Sequence, residues 1–202
     1  RLLTNEQHPV QLLIAGKAHP ADERGKQLIQ AWLDFVHRPG LRRHVVFLED
    51  YDLEMAQHLV QGVDVWINTP RRPWEACGTS GMKVLVNGGL NLSELDGWWA
   101  QAYQPAYGWA IGDDAPSDDD VDAERLYGLL ENEVVPTFYS RDAQGIPRDW
   151  VQRMRASMSQ LGPYYSSNRM LQEYLEHLYQ PAIQAFRLRR EDNAALARTL
   201  HA

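Results

Sequence analysis

Short apolar runs alternate with helical patterns through the first 112 residues, and this alternation most narrows what the chain can fold into. Val10-Gln11-Leu12-Leu13-Ile14-Ala15 is nearly continuous in its hydrophobicity and stops at Gly16. A strand of that kind is buried on both faces, the situation of a parallel sheet covered by helices. Residues 22–36 follow with Leu28, Ile29, Trp32, Leu33 and Val36 at helical spacing, and Pro39-Gly40 ends them. Val45-Val46-Phe47-Leu48 predicts a second strand, 53–60 a helix and 63–67 a third strand. A helix at 82–86 and short strands at 90–92 and 109–111 complete the series. Strand and helix in strict alternation predict an α/β fold, a doubly wound parallel sheet. Ligands of such sheets lie beyond the carboxyl ends of the strands. The loops after Ala15, Leu48, Ile67 and Leu92 are therefore the places to seek a site.

The character changes after an acidic stretch at 113–122, which reads as a surface loop. Residues 121–134, 150–161, 167–179 and 181–200 predict four helices, an appendage on the sheet. The expected division is a Rossmann-like part at 1–112 and a helical C-terminal extension at 113–202. No apolar run is long enough to cross a bilayer, and no membrane partner is expected. A net charge of −7 argues against nucleic acid. One cysteine, Cys77, excludes an internal disulfide and fits a reducing, cytoplasmic compartment. The histidines have no metal-ligand spacing and Cys77 no CxxC partner, so no metal is expected.

The densest chemistry lies between the third strand and the next helix, from Asn68 to Lys83. Ala76, Gly78, Ser80 and Gly81 are small enough for backbone to approach a ligand, and a helix start favours an anion. Glycines alone would make an ordinary turn. Glu75, Thr79 and Lys83 in the same stretch favour a ligand site. Lys83 lies between Met82 and Val84, so the glycine-lysine-hydroxyl order of a nucleoside-triphosphate loop is absent. Gly16-Lys17-Ala18-His19-Pro20 has one glycine, too few for a dinucleotide fingerprint. Within its apolar helix Lys83 is either a solvated lysine or a partly buried amine suited to Schiff-base chemistry. Trp98, Trp99 and Trp109 crowd one region and read as core ahead of a sugar-stacking wall.

The run Trp74-Glu75-Ala76-Cys77-Gly78-Thr79-Ser80-Gly81-Met82-Lys83-Val84-Leu85-Val86-Asn87-Gly88 resembles the cofactor segment of the α-glucan phosphorylases, the glycogen, starch and maltodextrin phosphorylase family, and its shorter bacterial branch above all. Ala15-Gly16-Lys17-Ala18-His19-Pro20, Val46-Phe47-Leu48-Glu49-Asp50-Tyr51 and Leu95-Asp96-Gly97 match in register. The resemblance covers about residues 10 to 112. It implies the C-terminal half of a glycosyltransferase-B fold, in which two Rossmann-like domains face each other across a cleft. It also implies an enzyme that transfers the terminal glucosyl unit of an α-1,4-glucan to inorganic phosphate, giving glucose 1-phosphate.

Carried over by position, Lys83 is the catalytic lysine that holds pyridoxal 5'-phosphate as a Schiff base. The resemblance implies that Tyr51, Thr79 and Ser80 would lie against that cofactor. By the same resemblance Glu75 would hydrogen-bond the glucosyl hydroxyls, and the backbone at Ala76, Cys77 and Gly78 would support the same sugar. Cys77 stands where long-chain members have serine, and Ser80-Gly81 where they have glycine and asparagine. The family's phosphate-holding arginine and lysine would come just before Arg1, and its N-terminal domain is not in this sequence. The chain opens at Arg1 as though a helix were already under way. The expectation is therefore a piece of a larger enzyme, inactive alone, with the N-terminal domain of the same enzyme as partner and homo-oligomerisation left open. Two other readings compete. A nucleotide-sugar glycosyltransferase of the glycogen-synthase type would need no amine at Lys83. A carbohydrate-binding module would use Trp98, Trp99 and Trp109 as a platform.

Overall fold

A computed structural model of the chain describes residues 1–113 and 118–201. Two compact units divide it, Arg1–Ser157 and the residues from Met158 onward. The first holds every strand. After a short 3-10 turn at Leu2–Thr4 come β1 (Leu12–Ala15), α1 (Glu23–Val36), β2 (Val45–Leu48), α2 (Leu53–Gly62), β3 (Val65–Asn68), α3 (Thr79–Val86), β4 (Leu90–Glu94), α4 (Gly97–Ala102) and β5 (Gly108–Ile111). All pairings are parallel, and the α/β class expected from the alternation is what forms. Asp22 and Asp52 accept from Gly25 N and Met55 N, which caps the starts of α1 and α2.

The single sheet expected from the sequence is two sheets. β1 pairs with β2, while β3, β4 and β5 form a separate ladder with β4 central. Their packing differs sharply. Every residue of β4 is buried, whereas Val45 is the one buried residue described in β1, α1 and β2. A cleft of about 450 Å³, lined in part by Leu13, Leu48, Met55, His58 and Val63, lies beside β1 and β2.

The core gathers on one face of the three-stranded sheet. Leu90, Leu92, Trp109 and Ile111 meet Val134 and Trp150, and Phe138 and Met154 pack against them. Trp109 and Trp150 lie 5.6 Å apart, and Phe138 meets Trp150 edge-on at 4.9 Å. Burying each such leucine contributes about 1.5–3 kcal/mol. The opposite face of β4 is polar. Asn91 Nδ2 donates to Gly81 O at 3.1 Å, and a Cβ at residue 81 would collide with the Asn91 side chain. Gly81 thus lets α3 lie directly on β4.

The acidic stretch is partly helix. Residues 114–117 lie outside the described ones, but α5 (Asp119–Leu129) begins within the run, capped by Asp118, which accepts from Asp120 N and Val121 N. A π-helical turn (Leu130–Val134) leads into α6 (Val135–Tyr139), and α7 (Arg148–Tyr164) follows. The second unit contains the end of α7, then α8 (Ser167–Tyr174), a π-helical turn (Leu175–Tyr179) and α9 (Gln180–His201). Non-helical dihedrals at residues 191–194 interrupt α9. Among the described residues no helix is long and apolar enough to cross a membrane.

Candidate functional site

The loop between β3 and α3 leaves the sheet at a strand's carboxyl end, where a parallel sheet presents its ligands. It carries Glu75, Ala76, Cys77 and Gly78, and α3 continues directly with Thr79, Ser80 and Lys83. Seven of the eight residues expected at the site therefore fall within one nine-residue stretch, 75–83. Gly78 precedes α3 in the left-handed conformation, φ +83°, and supplies no side-chain hydrogen bond to cap the helix start. The first N–H groups of α3 are thus left for an external acceptor. A Cβ at Gly78 would come within 3.2 Å of Glu75 Oε1, so the glycine leaves room for that carboxylate.

Along α3, Gly81, Val84 and Leu85 are buried, while Thr79 and Lys83 are exposed. Thr79 and Lys83 stand four residues apart, hence on one face of the helix. The solvated alternative for Lys83 is the one that forms. Among the described residues its ammonium has no ion-pair or hydrogen-bond partner. Cys77 is a free, exposed thiol. Tyr51, half-buried beyond β2, belongs to the other sheet, and among the described residues no hydrogen bond or ring contact joins it to 75–83. The three tryptophans singled out from the sequence are core. Trp98, Trp99 and Trp109 are 6%, 0% and 2% exposed, which overturns the sugar-platform reading.

Three residues that the sequence left without a role hold this loop. Asp96, just past β4, accepts from Glu75 N at 2.9 Å and from Gly97 N at 2.9 Å. Gly97 adopts φ +53°, and a Cβ there would lie 2.5 Å from Cys77 O. That close approach allows Trp98 N to donate to Cys77 O at 2.9 Å. The third is Arg72, whose guanidinium lies 3.1 Å from Glu94 Oε2 inside the protein. Asp-Gly directly after a strand was the available signal for the first two. Nothing in the sequence pairs Arg72 with Glu94.

Burial pushes the Glu94 carboxyl up to about 7, and Asp122 and Asp96 push the same way. Arg72 and Arg125 oppose the shift. Among the described residues no cluster of three or more His, Cys, Asp or Glu could hold a metal ion.

Parallel sheets, a loop of small residues at a strand exit and a helix start without a side-chain cap define a parallel α/β protein with a candidate site at the strand ends. Comparison with known sequences supplies the family. The profile of the family described as carbohydrate phosphorylase matches residues 2–101. The glycogen phosphorylase of Mycobacterium tuberculosis is 50% identical over 192 residues, 93% of this chain and 22% of that protein. Glycogen phosphorylase of Aquifex aeolicus is 45% identical over 181 residues, 89% of this chain and 26% of that protein. Maltodextrin phosphorylase of Thermococcus litoralis is 42% identical over 188 residues, 91% of this chain and 22% of that protein. The chain belongs to the carbohydrate phosphorylase family. Its likeness to these relatives runs on through the helical C-terminal region, beyond the resemblance read from the motifs. The chain spans between 22% and 26% of the length of these relatives.

Proposed function

We propose that this chain carries the cofactor and glucosyl half of a phosphorylase site, in an enzyme that passes the terminal glucosyl unit of an α-1,4-glucan to inorganic phosphate. The observation that carries the reading is the uncapped start of α3 at Gly78, with Glu75 on one side and the exposed amine of Lys83 one turn along. The donor set suits pyridoxal 5'-phosphate. Free N–H groups at Thr79 and Ser80 suit a phosphate dianion, and an unpaired amine suits covalent attachment. When bound, the cofactor supplies a phosphate able to exchange a proton with the substrate phosphate. The chain's own residues position. Glu75, half-buried and fixed through its backbone by Asp96, accepts hydrogen bonds from sugar hydroxyls. Carboxylate acceptors of this kind contribute about 1.5–3 kcal/mol each. Backbone at Ala76, Cys77 and Gly78 lines the same sugar, and Tyr51 contributes once the ligand bridges the two sheets.

In this reading residues 1–112 hold the ligands, 113–202 form the helical extension, and the enzyme works in the cytoplasm, as one cysteine suits. The relatives' further length supports a second half of the cleft outside these residues, so the 202-residue chain alone should not phosphorolyse maltodextrin. The glycogen-synthase alternative has no use for Lys83 and no support among the relatives. Lys17, Lys26 and Lys83 are the chain's lysines. Borohydride reduction of the enzyme containing this chain, followed by peptide mapping, should place the pyridoxyl group on Lys83. A label on Lys17 or Lys26, or no label, refutes the assignment.

A further inference from the structure

The turn that delivers Glu75 is held at both ends from the exit of one strand. Glu94 is the last residue of β4 and Asp96 lies two residues on. Asp96 fixes residue 75 through its backbone N–H. Glu94 faces Arg72, three residues earlier in the turn. Both partners are enclosed, Glu94 at 2% side-chain exposure and Arg72 at 9%. Gly112 makes the space, since a Cβ there would lie 2.8 Å from Arg72 Nη2 and 2.9 Å from Glu94 Oε2. Arg72 also donates to Asp113 O and lies 3.5 Å from Asp122 of α5. Arg71 beside it grips Asp119, Nε to Oδ1 at 2.8 Å.

We propose that Glu94 is a positioning residue for Glu75: its charge, acting on Arg72, holds one end of the 72–75 turn while Asp96 holds the other. A buried ion pair is a poor source of stability, because desolvating two charges offsets their attraction. Its presence behind a ligand loop is better explained by placement. The contact is charge against charge rather than an aligned hydrogen bond. Arg72 Nε and Nη2 and Glu94 Oε2 are all enclosed without a hydrogen-bond partner. A proton on Glu94 therefore removes the attraction and leaves no aligned bond in its place.

The groups around Glu94 make that proton available near neutrality. Arg72 faces it from the loop, Asp122 and Arg125 from α5 and Asp96 from its own strand exit, and burial outweighs the two arginines to bring Glu94 to about 7. Above that pH the carboxylate holds Arg72. Below it the pull of Glu94 on Arg72 is lost, and the turn keeps only the contacts of Arg72 with Asp113 O and Asp122 and the Asp96 bond to residue 75. The role of Glu75 is taken from the functional reading above, but the turn's placement can be read without cofactor or glucan.

Cys77, the lone cysteine and exposed, provides the probe. A nitroxide spin label on Cys77 of the full chain should gain mobility as pH falls through about 7. Glu94→Gln should abolish that transition and leave the label mobile throughout, which separates Glu94 from every other group in the chain. Asp122→Asn keeps the titrating group and removes a negative neighbour, so its midpoint should fall by about one pH unit. A transition that survives in Glu94→Gln, a midpoint unmoved in Asp122→Asn, or a label insensitive to pH in the unaltered chain overturns the proposal. A phosphorylase reading that failed at Lys83 would leave all of these responses in place, so the two failures are distinguishable.

Discussion

Replacing Gly97 with alanine tests whether the strap between the β4 exit and the ligand loop is as close as it looks. Gly97 has φ +53°, and an added Cβ would lie 2.5 Å from Cys77 O and 2.9 Å from Glu75 Cγ. Gly40 is the matched control, with φ +84° and nothing within 4 Å of an added Cβ. Holding an alanine in the left-handed region costs about 1–2 kcal/mol at either position. Alanine also restricts the unfolded chain, which returns about 0.4–1 kcal/mol in both variants. Gly40→Ala should thus lose about 1 kcal/mol. At residue 97 the obstacle is backbone, so the Cys77 carbonyl must withdraw, and with it the acceptor of Trp98 N at 2.9 Å. A buried hydrogen bond lost this way costs about 1–3 kcal/mol when a partner stays unsatisfied. Gly97→Ala should therefore lose about 2–4 kcal/mol. Urea unfolding followed by tryptophan emission measures both, since all seven tryptophans lie at or before Trp150, in the first unit. The slope against urea should not change, because neither substitution alters the area exposed on unfolding. Equal losses in the two variants would refute the close approach.

Glu94 links stability to pH. Its carboxyl is raised from the usual 4.5 to about 7, so the folded state holds its proton longer than the unfolded chain. Stability from this group is complete below the unfolded value and is lost as pH rises towards 7, by on the order of 3 kcal/mol. Glu94→Gln should flatten the stability curve between about pH 5 and pH 8, and urea titrations parallel to those of the unaltered chain would contradict this. Trp150→Ala should cost about 3–5 kcal/mol, since the indole is 4% exposed and packs on Trp109 and Phe138. A loss under about 1 kcal/mol in the same titration would place the core elsewhere.

Elements with a local signal were legible in the sequence. Val45–Leu48 is the strand that its β-branched run predicts, and α1 starts one residue after the capping Asp22. That the strands run parallel followed from alternation alone. The break between β2 and β3 did not, because strand adjacency is a long-range matter and β1 and β3 have similar apolar content. α4 was hidden for another reason. Gly97-Trp98-Trp99-Ala100-Gln101-Ala102 is too short to establish a period, and its two indoles read as core without indicating a helix. At the candidate site, Glu75, Gly78 and Lys83 stood out by residue type within one continuous segment. Asp96 and Arg72 act on that segment from 21 residues away and from inside the turn, through contacts that only folding creates.

If the proposed ligand spans Tyr51 and Lys83, the unequal packing of the two sheets would tie its binding to folding. Lys83 and Glu75 are borne by elements laid on β4, a strand buried along its whole length. Tyr51 follows β2, in a ladder where Val45 is the one buried residue described. Opening of the second ladder exposes little apolar surface, so it costs less free energy than opening the first. A ligand held by Tyr51 and Lys83 together would bind only the closed arrangement, and mass action would then stabilise the weaker ladder in proportion to its saturation. The β1–α1–β2 segment would behave as a sensor of occupancy, ordered in step with the ligand it helps to hold.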